Sequence, residues 1–357
     1  MNPSFSFKLN QLNKILKRFK ADGVILTSSF NRFWIDELRI TDSGFYLITK
    51  KQQYFFIPGF DYDYFVNHYK NPQVKLIKLT SLNDLKLVIK QLKLKHVLIE
   101  DTVSIKEFNL LNKLVKLNPV SLVDLRSIKT NQELKYLTKS AKITCQVLNE
   151  VRKNQLKVGI SEIQLKNWIL NRMLELGASG ASFDLIVAFG NNTANPHHLS
   201  TNKKLTKETL IKIDIGCIYH GYCSDLTRTF YFGKNPKPEY LAMFNLVKKA
   251  QVLGLKHAKA GIKCSELDDV VRNFIAKDPR YGKQFIHGLG HGVGIQIHET
   301  PSVNKLSQVV LQPNQVITIE PGVYVKNLGG IRIEDTVIIT KNGIKNLSNS
   351  CPKTFFN

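Results

Sequence analysis

The sequence predicts an α+β fold for residues 127–357, preceded by a smaller α/β domain over residues 1–126. Three observations predict it. The chain has 357 residues, 43% of them apolar, which is enough for two separate cores. Helix and strand patterns alternate through the first 126 residues, as in a layered α/β unit. Beyond that point helices come in pairs and strands in runs, which indicates an antiparallel sheet framed by helix pairs rather than a doubly wound one.

In the first domain Leu9, Leu12, Ile15, Leu16 and Phe19 recur at helical spacing, and residues 23–28 read as a strand. Residues 45–49 and 54–57 flank Lys50-Lys51-Gln52 as a hairpin. A strand at 74–79, a helix near 83–94, a strand at 96–100, a helix near 104–116 and a strand at 120–125 follow. No glycine-rich phosphate loop and no cluster of metal-ligand types occurs here, so this domain is assigned no chemistry. The second domain opens with a helix over 131–153, whose apolar stripe is Leu134, Leu137, Ala141, Cys145 and Leu148. A second helix covers 161–176, strands dominate 184–233, helices return over 238–258 and 265–277, and strands reappear over 316–340.

Bulk properties exclude several classes. No apolar run approaches the ~18 residues of a membrane span, and the first residues lack the pattern of a secretory signal. A cytoplasmic protein without membrane contact is expected. The formal charge of +23 raises the question of nucleic acid, but Lys8, Lys50, Lys90, Lys139, Lys203 and Lys249 are scattered along the chain rather than gathered. They read as solvated surface, so no nucleic-acid partner is expected. The five cysteines are odd in number and form no CxxC pair, which reads as reduced thiols rather than a thiolate zinc site.

The chemistry lies in strands that carry a carboxylate opposite an apolar face. In Leu210-Ile-Lys-Ile-Asp-Ile-Gly216, Ile211, Ile213 and Ile215 share one face, so Asp214 points the other way. Ile317 and Ile319 leave Glu320 on the opposite side in the same manner. Ile331 and Ile333 leave Arg332 and Glu334 there. Asp225 follows Asp214 by a gap that suits one hairpin with both aspartates on adjacent strands. A solvated strand face would explain any one of these. Several together on buried-looking strands repel one another, and bound divalent cations resolve that conflict. His291 sits in Gly-Leu-Gly-His-Gly-Val-Gly, between His287 and His298, and Pro196-His197-His198 adds two more imidazoles. The glycines permit close backbone approach.

In the order Asp214, Asp225, His291, Glu320, Glu334, and in their local strings, the sequence resembles the pita-bread metallopeptidases of the creatinase/methionine aminopeptidase class. Ile-Asp-Ile-Gly, Cys-Ser-Asp-Leu-Thr-Arg-Thr, Gly-His-Gly-Val-Gly, Ile-Glu-Pro-Gly and Arg-Ile-Glu-Asp carry the likeness, which spans about 127–357. The resemblance implies a pita-bread catalytic domain preceded by a creatinase-like N-terminal domain. It further implies two divalent metal ions, manganese first, with cobalt, zinc or iron as substitutes. Asp214 would bind one ion, Asp225 and Glu334 would bridge both, and His291 and Glu320 would complete the other. His197 is similar to the residue that stabilises the tetrahedral oxyanion. His287 and His298 are similar to substrate-contacting residues, and Arg332 is expected either to face substrate or to pair with a ligand carboxylate. The histidine pattern resembles the proline-specific branch. The expected function is therefore an Xaa-Pro aminopeptidase acting on peptides with proline second, as a homodimer. An Xaa-Pro dipeptidase is the alternative, ahead of a methionine aminopeptidase or a non-enzymatic basic binding protein.

Overall fold

A computed structural model of the protein describes residues 3–37 and 44–357, and it divides into two compact units, Met1–Arg126 and Ser127–Asn357. Among the described residues no helix is long and apolar enough to cross a membrane.

The first unit is built on a six-stranded mixed sheet. Its order is Val74–Leu79, Gln53–Pro58, Phe45–Thr49, Gly23–Leu26, His96–Glu100 and Lys116–Val120. The hairpin 45–49/53–58 is antiparallel, while the strand pairs toward both edges are parallel. Gly23–Leu26 is buried on both faces, as the middle of a sheet covered by helices must be. The last strand differs from the sequence reading. It occupies Lys116–Val120 rather than 120–125, and Val123–Ser127 is a short helix. Pro119 obscured it, because proline argues against a strand unless that strand lies at a sheet edge, which is where this one lies.

The second unit contains two helix-pair-and-sheet halves. Asn131–Glu150 and Glu162–Glu175 cover the sheet 186–189/209–215/226–232, with Ile211, Ile213 and Ile215 packed among Val147, Leu148, Leu165 and Ile169. Pro238–His257 and Cys264–Ala276 cover a five-stranded antiparallel sheet and bury Ile317, Ile319, Ile331 and Ile333. Both helices of the first pair start at capping boxes. The Thr130 hydroxyl accepts from Glu133 N, whose carboxylate accepts from Thr130 N, and Ser161 and Gln164 repeat the exchange. The apolar faces of both sheets are thus consumed by helices. Their opposite faces carry Lys212, Asp214, Thr227 and Thr318, all buried as well, and Arg332, from the separate two-stranded sheet 322–325/329–332, is buried too. That buried polar seam is where the site forms.

Candidate metal centre

Strand alternation delivers Asp214 to the seam: Thr209–Ile215 is buried along its whole length, and Asp214 faces away from the helix pair. The other carboxylates sit where strands break. Asp225 lies between Tyr222–Cys223 and Leu226–Phe232, Glu320 directly after Val316–Ile319, and Glu334 between Gly329–Arg332 and Asp335–Thr340. The continuous strands expected through Glu320 and Glu334 are therefore interrupted. Each interruption lets the chain change sheet partners, since 329–332 pairs with 322–325 while 335–340 pairs with 316–319. The expected hairpin between the aspartates is present in modified form. Asp214 pairs with Thr227, and Asp225 precedes the partner strand.

His291 occupies the middle of a three-residue strand, Gly290–Gly292, between two neighbours. A Cβ on Gly290 would lie 2.1 Å from Thr318 O, and one on Gly292 would lie 2.3 Å from Thr300 O. Only glycine on either side lets the imidazole reach this depth. His291 Nδ1 faces Gly292 O at 3.0 Å. A carbonyl only accepts, so Nδ1 carries the proton and Nε2 presents its lone pair to the seam. Nε2 lies 3.5 Å from Asp225 Oδ2 and 3.4 Å from Glu320 Oε1.

One cavity of about 770 Å³ brings together Asp214, Asp225, His291, Glu320, Glu334, His197, His287, His298 and Arg332. Ligand atoms of Asp225, His291 and Glu334 lie within 4.8 Å of one another. Burial, then the charges of Asp214 and Glu320, push the Asp225 carboxyl well above its ordinary range. Burial and the charges of Asp225, Glu320 and Asp214 do the same to Glu334. Burial raises Glu320 as well. The donor set fits divalent cations on two grounds. The carboxylates repel without a counter-charge, and Asp214 Oδ1 and Glu334 Oε1 are buried with no hydrogen-bond partner. Oxygen donors with one imidazole suit a hard or borderline divalent ion.

The surrounding hydroxyls fix the carboxylates. Thr227 Oγ1 donates to Glu334 Oε2 at 2.8 Å, and Thr318 Oγ1 donates to Glu320 Oε1 at 3.0 Å. Arg332 pairs with Asp214 Oδ2 and donates to the Tyr324 hydroxyl at 2.8 Å. That hydroxyl in turn lies 3.0 Å from His287 Nε2, while His287 Nδ1 lies 2.8 Å from Gly288 O. Of the two roles expected for Arg332, the pairing with a carboxylate is the one its contacts display. The sequence reading does not single out Tyr324, Thr227, Thr318 or Lys212. For Lys212 the signal was present, because it shares the parity of Asp214 on the same strand. The threonines and Tyr324 are common strand residues with nothing local to mark them.

His197 and His298 stand near the mouth of the cavity, where both are exposed. The loop bearing His197 is tied down by Glu162, in the first turn of its helix. Its carboxylate accepts from Phe189 N, Asn192 Nδ2, Thr201 N and the Thr201 hydroxyl, and lies 2.9 Å from His198 Nε2. Burial alone would raise this carboxyl, yet the hydrogen bonds from His198, Thr201 and Phe189 hold it below the usual carboxylate range. A depressed carboxyl stabilises the fold above its unfolded pKa, and this contribution is lost as pH falls through the folded value. Glu162→Gln is therefore expected to lower stability by about 1–3 kcal/mol at pH 7. The gap from wild type should narrow below about pH 4; urea melts at the two pH values measure it.

A helix-framed pair of sheets around a buried cluster of acidic residues and one imidazole defines a metal-dependent hydrolase site. The profile of metallopeptidase family M24 matches residues 135–341, and that of the creatinase/prolidase N-terminal domain matches residues 8–129. The chain belongs to metallopeptidase family M24, with the pita-bread fold and a creatinase-type N-terminal domain, and it is a peptidase. A Mycoplasma genitalium protein named provisionally as an Xaa-Pro aminopeptidase is 35% identical over 98% of both chains. The structure of an Xaa-Pro dipeptidase from Bacillus anthracis superposes with a TM-score of 0.93 at 30% identity, covering 99% of each chain. That of an X-Pro aminopeptidase from Thermotoga maritima gives 0.87 at 27%, covering 96% of this chain and 99% of that one. The chain is thus an Xaa-Pro-type peptidase by family, and the family implies divalent metal.

Proposed function

We propose that the protein is an Xaa-Pro aminopeptidase, releasing the N-terminal residue from peptides whose second residue is proline. In this reading it works in the cytoplasm as a homodimer, with two manganese ions held by Asp214, Asp225, His291, Glu320 and Glu334. The observation that carries the reading is the convergence of those five side chains, with two unpartnered carboxylate oxygens, on one cavity. Bound there, divalent cations supply Lewis acidity and lower the pKa of a water.

The protein's own groups do the rest. Arg332 and Thr227 hold Asp214 and Glu334 in fixed rotamers. His197 donates to the oxygen that becomes negative in the tetrahedral intermediate, a role worth about 10²–10³ in turnover. His298, with its ring centroid 4.4 Å from that of His291, borders the scissile bond. His287 is oriented by Tyr324 and Gly288 to face the proline.

A dipeptidase must also hold the substrate's free carboxylate, which calls for an uncommitted cation. Among the described residues that line the cavity Arg332 is the one guanidinium, and it is committed to Asp214 and Tyr324. Ser302 and Asn304 line the rim after His298. This favours the aminopeptidase over the dipeptidase that several relatives are named for. With manganese present, Xaa-Pro-Xaa tripeptides are expected to be hydrolysed at least about tenfold more efficiently than Xaa-Pro dipeptides, one lost cation contact being worth about 1.5–3 kcal/mol. Cleavage confined to dipeptides would overturn the choice.

A further inference from the structure

We propose that Lys212 is a positioning residue for His197, clamping from beneath the loop that brings this imidazole to the cavity. The proposal rests on His197 acting in catalysis as described above.

Lys212 is 0% exposed in the middle of the strand Thr209–Ile215. Its neighbours of the opposite parity, Ile211 and Ile213, are aliphatic and packed against the helix pair. A further aliphatic residue would fill a buried strand position without the cost of desolvating an amine. Among the described residues no carboxylate lies within ion-pair distance of its Nζ. The amine meets backbone carbonyls instead, with the Tyr324 ring 5.3 Å away. Nζ donates to Asn195 O at 2.6 Å and Thr193 O at 3.1 Å, and approaches Pro196 O at 3.5 Å.

All three carbonyls belong to the stretch immediately before His197. Thr193 O belongs to the end of the short helical turn Gly190–Ala194, where late carbonyls run out of helical donors, and Asn195 O and Pro196 O lie just beyond it. Lys212 Nζ supplies a donor to each of these three. Thr193 is also fixed from the other side, because its hydroxyl accepts from Gly330 N at 2.9 Å. Beyond His197 the chain is caught again where His198 and Thr201 meet Glu162. A buried cation-forming side chain therefore holds the carbonyls on one side of His197, and a buried carboxylate holds the donors around it. The imidazole itself is exposed, and the bond found at its residue runs from the backbone, His197 N to Asn195 Oδ1 at 3.1 Å. The ring's placement is inherited from the backbone that Lys212 grips.

The test compares steady-state kinetics of wild type, Lys212→Met, His197→Ala and the double variant on an Xaa-Pro tripeptide with manganese. Lys212→Met is expected to lower kcat by about 10- to 100-fold, as misplacement of a catalytic group by about 1 Å does. KM and bound manganese per chain should stay within about twofold of wild type. In the His197→Ala background the same substitution should change kcat by less than about twofold, because the group it positions is gone. Unchanged kcat in Lys212→Met, or an equal loss in both backgrounds, overturns the proposal. Amide hydrogen exchange over residues 193–198, faster in Lys212→Met than in wild type, reads the clamp without turnover, and unchanged exchange there overturns it. Wild type inactive on every Xaa-Pro peptide would sink the functional reading instead, leaving exchange to decide the clamp. Should Lys212→Met fail to fold, Lys212→Gln, which keeps donors but loses reach, is read in the same way.

Discussion

Asp225→Asn and Glu334→Gln are expected to abolish peptide hydrolysis while leaving the protein folded and, without metal, no less stable than wild type. The loss should exceed the about 10²–10³-fold cost of deleting a single transition-state hydrogen bond, because each carboxylate would hold the cations themselves. The stability half follows from the same crowding. Burial and neighbouring charges raise both carboxyls well above their ordinary range. A carboxyl with a raised folded pKa supports folding below its unfolded pKa and opposes it as pH rises through the folded value. At pH 7 in chelator, the neutral amide should therefore melt higher, by about 2–4 °C for each kcal/mol of relieved repulsion. Thermal melts beside activity assays check both halves. Wild-type turnover in either variant, or loss of the folded state, would count against the metal role.

The second large effect is the response to metal. Protein stripped with chelator should be inactive, and manganese should restore turnover and raise the melting temperature together. At a concentration a hundred times Kd the stabilisation is about 2.7 kcal/mol, or about 5–11 °C for a unit of this size. Asp225→Asn should show no such shift. A metal-induced shift of equal size in wild type and variant would place the cation elsewhere in the molecule.

Much of this site was legible in the sequence, because strand alternation is a strict rule. Three isoleucines on one face fix the side on which Asp214 lies, and the glycines around His291 announce a backbone squeezed between neighbours. Partners were not legible. Arg332 stands next but one to Glu334 in sequence, yet its guanidinium pairs with Asp214, 118 residues away. Arg228, within the Thr-Arg-Thr string, is buried against Asp335 at 2.8 Å and also reaches Cys351 O. That part of the motif thus ties strands together rather than touching the cavity. Alternation also assumes unbroken strands, and the sequence around Glu320 and Glu334 does not show where the chain changes partner. Lys212 shows the opposite limit. Its parity with Asp214 was readable, but lysine on a strand is ordinarily a solvated residue, and only the burial of both faces gives it meaning.

The most direct test is an anomalous difference map at the manganese edge from crystals grown with that ion. Two peaks enclosed by Asp214, Asp225, His291, Glu320 and Glu334 are the expected result. A cavity without a peak, or manganese coordinated by other side chains, would contradict the account.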